Sequence, residues 1–212
     1  MNCDRELAEK LRQLWNSTLP DEASCFEDVL QLFMRLLETN QKVNLFSRKL
    51  SPELLFQDQF LDCALGLPFF EDSAKILDFG CGGGLPGAVL AVCRPLKEFV
   101  LLDKSAKKIH YLEKVCQEMG LNNVQLSTES HEELYAHVDT VTSRAVASAA
   151  KVVEFVEPFF KDKDHRYLLY KARLENINQE LTELPASFAA KIWAMPFPDN
   201  LRERHMVEIT CS

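Results

Sequence analysis

Five of the seven glycines in this 212-residue chain lie within eight residues, from Gly80 to Gly87. A short apolar run, Ile76-Leu77-Asp78-Phe79, precedes the cluster, and a second apolar run extends from Gly87 to Cys93. Glycine adopts positive φ and has no Cβ, so a glycine cluster permits a tight turn and a close approach of backbone to ligand. We therefore predict a strand, a ligand-binding loop and a helix, the alternative being a tight turn that binds nothing.

Apolar segments after residue 75 alternate between strand and helix patterns. Further strands are predicted at 99–103, 124–126, 138–143 and 167–170, with two more at 190–194 and 206–210. Strands that alternate with helices form a largely parallel sheet covered on both faces. The prediction is an α/β fold with a doubly wound, mostly parallel, seven-stranded Rossmann-like sheet over residues 71–212. Residues 1–70, where leucines recur at helical spacing, form an N-terminal helical extension.

Composition narrows the functional classes. No apolar run reaches the roughly 18 residues of a membrane span, and the N-terminus does not resemble a secretory signal. Seven irregularly spaced cysteines, Cys3 among them, argue against a disulfide scaffold or a metal site, so we expect reduced thiols and a cytoplasmic location. The formal net charge is −8, which disfavours one large basic face but permits local basic clusters.

Two ligand classes fit the glycine loop. Gly82-x-Gly84-x-x-Gly87 matches the dinucleotide fingerprint, with Asp103 near the position of a ribose-binding acid. Asp78 discriminates between the two classes, because a carboxylate at the end of the strand repels a pyrophosphate but attracts the cationic groups of S-adenosylmethionine (SAM). The pattern favours SAM as cofactor, held by Asp78, Gly80, Gly82, Gly84 and Leu85.

Ends of the later strands supply the other predicted cofactor contacts, because ligands bind at the carboxyl ends of strands in such sheets. Asp103 is expected to hold the ribose, the alternative being a helix cap. His131 and Glu132 are expected near the adenine, the alternative being a solvated acidic loop. Cys81 lies inside the loop without a basic neighbour along the chain, so we expect a structural role for its thiol.

The acceptor is constrained by motifs that the chain lacks. Ser143-Arg144-Ala145 stands at the end of the fourth predicted strand, where many amino-methylating enzymes carry Asn/Asp-Pro-Pro-Tyr/Phe. No cysteine follows a proline, as the nucleophile of cytosine-5 methyltransferases does. An acceptor with a free lone pair, such as N7 of guanine, needs neither nucleophile nor general base and is compatible with this sequence.

Several segments together resemble the bacterial 16S rRNA N7-guanine methyltransferases, long called glucose-inhibited division protein B. The segments that carry the resemblance are Asn40-x-x-x-Asn44-Leu45, Phe60-Leu61-Asp62-Cys63, the loop from Leu77 to Gly87, Leu101-Leu102-Asp103, Ser143-Arg144-Ala145 and Glu203-Arg204-His205. The resemblance implies the class I methyltransferase fold, SAM as cofactor and transfer of a methyl group to N7 of a guanine in 16S rRNA. Tyr170-Lys171-Ala172 departs from the Leu-Lys-Gly that often ends the fifth strand of this family.

The resemblance also places Arg144 where the methyl group meets the base. Arg144 is the predicted catalytic residue, binding SAM, the guanine or both; the alternative is a salt bridge to Glu132 or Asp78 that shapes the pocket. Lys104, Lys107, Lys108 and Arg204 are the predicted RNA contacts, with 16S rRNA or the small ribosomal subunit as partner and a monomeric enzyme. An NAD-dependent oxidoreductase and an inactive SAM-fold binding protein remain alternatives.

Overall fold

A computed structural model describes residues 5–160, 163–198 and 202–211 of the chain, so Cys3 lies outside the described residues. The first segment is helical, as predicted. Helix α1 spans Arg5–Thr18, a 3-10 turn spans Pro20–Cys25, and helix α2 spans Phe26–Lys42. Both helices are amphipathic, and their apolar faces turn inward, where Trp15 and Phe33 are fully buried.

The third helix of this segment begins at a serine cap. The Ser51 hydroxyl accepts a hydrogen bond from the Leu54 N–H and caps helix α3, Pro52–Leu55. A π-helical turn, Phe56–Leu61, follows, and helix α4, Asp62–Ala64, continues it. A 3-10 turn, Leu67–Phe70, then leads toward the sheet. The π-helical turn has consequences for the candidate site, because its polar groups hold Arg144.

Seven strands form one sheet in the order β3-β2-β1-β4-β5-β7-β6. Strands β1 to β5 are parallel to one another, whereas β7 is antiparallel to both β5 and β6. The predicted doubly wound, mostly parallel sheet is confirmed. The strands are β1 Lys75–Phe79, β2 Glu98–Leu102, β3 Val124–Ser127, β4 Thr140–Arg144, β5 Arg166–Lys171, β6 Phe188–Ala194 and β7 His205–Cys211.

Helices connect the parallel strands. Ser105 caps helix α6 by accepting from the Lys108 N–H, and Gly120 ends that helix at φ 65°, the left-handed conformation that favours glycine. Ser148 caps helix α7 in the same way. The helices are α5 Gly87–Cys93, α6 Ala106–Met119, α7 Ala149–Val156 and α8 Leu174–Leu181.

Two hydrophobic cores cover the two faces of the sheet. Alternation along β2 separates them, because Phe99 and Leu101 pack with the N-terminal helices, α5 and α6, whereas Val100 and Leu102 pack with α7. The helical segment before β1 therefore covers one face of the sheet. Within the described part of the chain, the helices are all too short or too polar to cross a membrane.

Candidate functional site

A cavity of about 840 Å³ lies at the carboxyl ends of β1, β2 and β4. Strand order reverses between β1 and β4, and crevices at such switch points are where open α/β sheets bind ligands. The glycine loop, the turn after β2 and the turn after β4 form most of its wall. Lining residues include Leu45, Phe46, Gln59, Gly80, Cys81, Gly82, Gly83, Leu85, Asp103, Lys104, Lys108, Thr128, Ser130, Arg144, Ala145 and Ala147.

Another cleft, of about 680 Å³, lies at the opposite end of the sheet, beside the first residues of β1 and β2. The arginine and lysine side chains Arg94 and Lys97 in its lining form ion pairs and hydrogen bonds with neighbouring protein groups. Arg94 pairs with Glu22 and Glu71, and the ammonium group of Lys97 donates to the carbonyl oxygens of Glu71 and Ser73. The carboxyl-end cavity is therefore the better candidate for a ligand site.

The glycine loop has two physical reasons for its composition. Gly80, Gly82 and Gly84 have φ values of 75°, 55° and 92°, which strain other residues. At Gly87, a Cβ would lie 2.1 Å from Leu101 of β2, so close helix–strand packing requires glycine there. At Gly82, a Cβ would have its nearest neighbour 3.8 Å away, on Lys108. The space beside Gly82 is open to a ligand.

Asp78 lies beneath the loop and is fully buried. Its Oδ2 accepts a hydrogen bond of 2.8 Å from the Gly87 N–H, whereas Oδ1 is buried without a partner in the described residues. Burial raises the pKa of this carboxyl to about 7. Asp78 is not among the residues that line the cavity, so its predicted attraction for a cationic ligand has to act through the loop rather than by surface contact.

Asp103 follows β2 and lines the cavity. Its Oδ2 accepts a hydrogen bond of 2.8 Å from the Gly82 N–H, and its Oδ1 accepts one of 2.9 Å from the Ser105 N–H. The carboxylate thus ties the glycine loop to the turn before α6. Each oxygen retains acceptor capacity, because a carboxylate oxygen has two lone pairs.

Arg144 ends β4 and is held by the helical segment. Its Nε lies 3.1 Å from Asp62 Oδ2, and its Nη2 donates to the Asp58 carbonyl and to Gln59 Oε1. The predicted salt-bridge partners of Arg144 were Glu132 and Asp78, but the carboxylate that pairs with Arg144 is that of Asp62. These bonds fix the side chain at the cavity wall while occupying several of its donors, so a ligand meets a guanidinium already positioned by α4 and the π-helical turn.

Asn40, the first residue of the Asn40-x-x-x-Asn44-Leu45 motif, shapes the segment that follows it. Its Oδ1 accepts from the N–H groups of Leu45 and Phe46, at 2.7 and 3.0 Å, and its Nδ2 donates to the Phe46 carbonyl. These bonds place Leu45 and Phe46 against Gly83, where they line the cavity. The contribution of Phe46 was missed, because no pattern along the chain links residue 46 to residue 83.

The structure brings only some of the predicted residues together. Gly80, Gly82, Leu85, Asp103, Lys104, Lys108 and Arg144 line the cavity, whereas Gly84 and Lys107 do not. His131 and Glu132 are also outside the lining, and the preceding Thr128 and Ser130 take their place. The His131 imidazole is half exposed and lies 3.4 Å from a carboxylate oxygen of Glu133.

Cys81 is 2 % exposed within the loop. Burial, together with the carboxylates of Asp78 and Asp103, raises the pKa of its thiol well above the usual value. A thiol held neutral is a poor nucleophile. Groups of three or more His, Cys, Asp or Glu arranged to hold a metal ion do not occur among the described residues.

Comparison with known proteins identifies related sequences. The model of the family described as rRNA small subunit methyltransferase G matches residues 26–206. Ribosomal RNA small subunit methyltransferase G of Nitrosococcus oceani is 38% identical over 186 residues, which cover 85% of this chain and 84% of that protein. The protein of the same name from Pasteurella multocida is 30% identical over 97% of this chain and 98% of its own length.

Solved structures share the fold. The precorrin-6y C5,15-methyltransferase of Geobacter metallireducens superposes with a TM-score of 0.54 at 10% identity, over 82% of this chain and 95% of that one. An O-methyltransferase of Bacillus cereus, solved in complex with SAH, superposes with a TM-score of 0.52 at 15% identity, over 85% of this chain and 90% of its own. At these identities the likeness establishes the fold alone.

Proposed function

The chain belongs to the rRNA small subunit methyltransferase G family, and from that premise we propose that it transfers a methyl group from SAM to N7 of a guanine in 16S rRNA. The observation that carries the proposal is the pairing of Asp103 with the Gly82 N–H at the rim of the carboxyl-end cavity. It joins the two elements that a nucleoside-containing cofactor requires, an open glycine loop and a ribose-binding carboxylate.

The residues present fit SAM. Asp103 would accept hydrogen bonds from the ribose hydroxyls with the lone pairs that the Gly82 and Ser105 N–H groups leave free. The buried Oδ1 of Asp78 has no partner among the described residues, and a cationic ligand bound at the loop would compensate the charge of this carboxylate. Lys104 and Lys108 line the same cavity on the side of Asp103, and the polar side chains of Thr128 and Ser130 also line it, where they could contact the adenine. SAM, when bound, supplies a methyl group on a sulfonium, which is reactive toward a lone pair.

The protein's part in the reaction is alignment. N7 of guanine carries a free lone pair and loses no proton on methylation, so neither a general base nor a nucleophilic side chain is required. The neutral thiol of Cys81 suits this scheme because it does not compete for the methyl group. Arg144, fixed by Asp62 and Gln59, orients the guanine by its guanidinium at the cavity wall.

The acceptor is 16S rRNA, free or within the small ribosomal subunit, and we expect a monomeric enzyme that acts in the bacterial cytoplasm. Lys104 and Lys108 are positioned for phosphate contacts near the cofactor, and Lys107, in the first turn of α6, presents a further charge. Arg204 is set apart from these lysines, since it pairs with Asp62 at 2.6 Å.

Equilibrium titration with SAM and with NADH tests the cofactor assignment. The proposal expects saturable SAM binding and none of comparable strength for NADH; the reverse order would favour the oxidoreductase. Incubation with labelled SAM and small subunits from cells that lack this modification then separates an active enzyme from an inactive SAM-fold binding protein. Label in 16S rRNA is expected from under-methylated subunits and not from fully methylated ones. Tight SAM binding without label would favour the binding protein.

A further inference from the structure

A smaller cavity, of about 350 Å³, adjoins the carboxyl-end cavity beyond the carboxyl ends of β4 and β5. We call it the second cavity. Arg144, Ala145 and Ala147 line both cavities and so form the wall between them. Ala145 has φ 57°, a left-handed conformation that is strained for alanine. The chain therefore makes an unfavourable turn at the boundary of the two cavities.

The lining of this second cavity is basic in a chain whose net charge is −8. Four cations, Arg144, Lys171, Arg173 and Arg204, face two carboxylates, Asp62 and Glu180. Three of the cations are paired, since Lys171 contacts Glu180 at 2.7 Å, and Arg144 and Arg204 both contact Asp62.

Arg173 differs from these three. It is exposed, it lies at the start of α8, and its side chain has no hydrogen bond or ion pair within the described residues. The nearby carboxylate of Glu203 is engaged by the Leu174 N–H at 2.9 Å. Arg173 is therefore a guanidinium at the mouth of a basic cavity with its planar donor fork unused, which is the geometry that suits a phosphate.

We propose that the second cavity is the RNA-side subsite of the enzyme and that Arg173 anchors a phosphate of the acceptor strand. This inference rests on the proposed function. Methyl transfer requires the reacting atoms to approach to about 3–3.5 Å, so the RNA has to enter through a space that adjoins the cofactor cavity. The second cavity meets that requirement because the two share the Arg144–Ala147 wall. Asn176, exposed on α8 in the same lining, offers an amide to a base edge.

A charge series at Arg173 tests the phosphate anchor. Arg173→Ala should raise the KM for rRNA several-fold, Arg173→Lys less and Arg173→Glu more, with kcat and the Kd for SAM unchanged. Because each phosphate contact to a single strand contributes about 0.7 to the slope of log affinity against log salt, Arg173→Ala should lower that slope by about 0.7. Arg5→Ala, which removes an exposed arginine of α1 that lines neither cavity, is the matched control.

A cavity-filling variant tests the subsite. Ala172 is exposed and lines only the second cavity, so Ala172→Trp should block it without entering the cofactor cavity. We expect the loss of rRNA methylation with an unchanged Kd for SAM. Ala186→Trp, an exposed alanine in the turn before β6, controls for the added indole, and thermal unfolding of both variants controls for folding.

Outcomes for the two proposals are separable. If the wild-type protein methylates 16S rRNA and the Arg173 series and Ala172→Trp all retain wild-type KM, salt slope and rate, the subsite assignment is overturned while the proposed function stands. If the wild-type protein binds no SAM and transfers no methyl group, the proposed function fails first. An increase in KM that follows the charge at residue 173 supports the anchor, because loss of folding does not rank Lys, Ala and Glu in this way.

Discussion

Asp62 of α4 forms an ion pair with Arg144 at the end of β4, with 3.1 Å between Oδ2 and Nε. The second oxygen of the same carboxylate accepts from Arg204 Nε at 2.6 Å, one residue before β7. A single buried carboxylate therefore joins the helical segment to two parts of the sheet. It also determines where the Arg144 guanidinium lies at the cavity wall.

Removal of this carboxylate should destabilise the fold. Asp62→Ala leaves two guanidinium groups without their counter-charge, and breaking a buried pair in this way costs about 3–5 kcal/mol. Denaturant unfolding of the ligand-free protein measures the change. Glu6→Ala, which breaks an exposed pair with Lys10 in α1, should leave the unfolding midpoint nearly unchanged. Equal midpoints for the Asp62 variant and the wild type would show that the pair adds no stability.

The open space beside Gly82 should be needed for cofactor binding. Gly82→Ala and Gly120→Ala both place alanine at positive φ, 55° and 65°, so each should lose about 1–2 kcal/mol of stability from backbone strain. Only Gly82→Ala adds an atom to the cavity, and we expect it to weaken SAM binding at least tenfold, while Gly120→Ala binds SAM normally. Calorimetric titration of the two variants makes the comparison. Equal SAM affinity would mean that the loop is only a turn.

The charge of Asp103 should contribute to ribose binding. Asp103→Asn keeps a carbonyl oxygen for a backbone N–H but loses the charged acceptor, which should cost about 1.5–3 kcal/mol of SAM binding. Asp139→Asn is the matched control, because Asp139 also accepts two backbone N–H bonds, from Ala74 and Lys75, but at the opposite end of the sheet. A Kd for SAM that rises equally in both variants would assign the effect to stability rather than to contact.

Asp78 should give the ligand-free protein a distinctive dependence on pH. Burial raises the pKa of its carboxyl to about 7, above the usual value of about 3.9. The folded state then holds the proton more tightly than the unfolded state, so this group's contribution to the free energy of unfolding falls as pH rises from about 4 to about 7. Asp78→Asn should remove that component, as measured by urea unfolding between pH 5 and pH 8.

SAM binding provides the second readout for Asp78. A cationic ligand favours the charged carboxylate, so the affinity of the wild type for SAM should rise as pH increases toward about 7 and level off above it. S-adenosylhomocysteine (SAH), the demethylated form of SAM, lacks the sulfonium charge, so its affinity should rise less with pH. Asp78→Asn should bind both ligands with a flatter pH profile. Identical pH profiles for SAM in the variant and the wild type would remove Asp78 from cofactor binding.

Much of the fold follows from local sequence patterns. The apolar runs mark strands whose observed bounds lie within two residues of those predicted. The glycine loop and Asp103 were predictable because parallel strands bring their carboxyl ends to one edge of the sheet. These features depend on short stretches of chain.

Features that depend on distant contacts were not predictable. A hydrogen bond from its N–H to the Asn40 side chain positions Phe46 at the cavity. Asp62 pairs with Arg144, which lies 82 positions later in the chain. Thr128 and Ser130 replace His131 and Glu132 in the lining because the residues directly after β3 stay at the edge of the sheet, whereas His131 leads into the 3-10 turn Glu132–Tyr135. No periodicity or motif records such tertiary relations.

Chemical mapping of the methylated base tests the central claim most directly. Under-methylated small subunits are incubated with the protein and SAM, and the 16S rRNA is treated with borohydride and aniline, which cleave the chain at N7-methylguanine. The account predicts a single new cleavage at a guanine, absent without SAM and lost with Arg144→Ala. A methyl group incorporated at another atom, so that label enters the rRNA without cleavage, would contradict it.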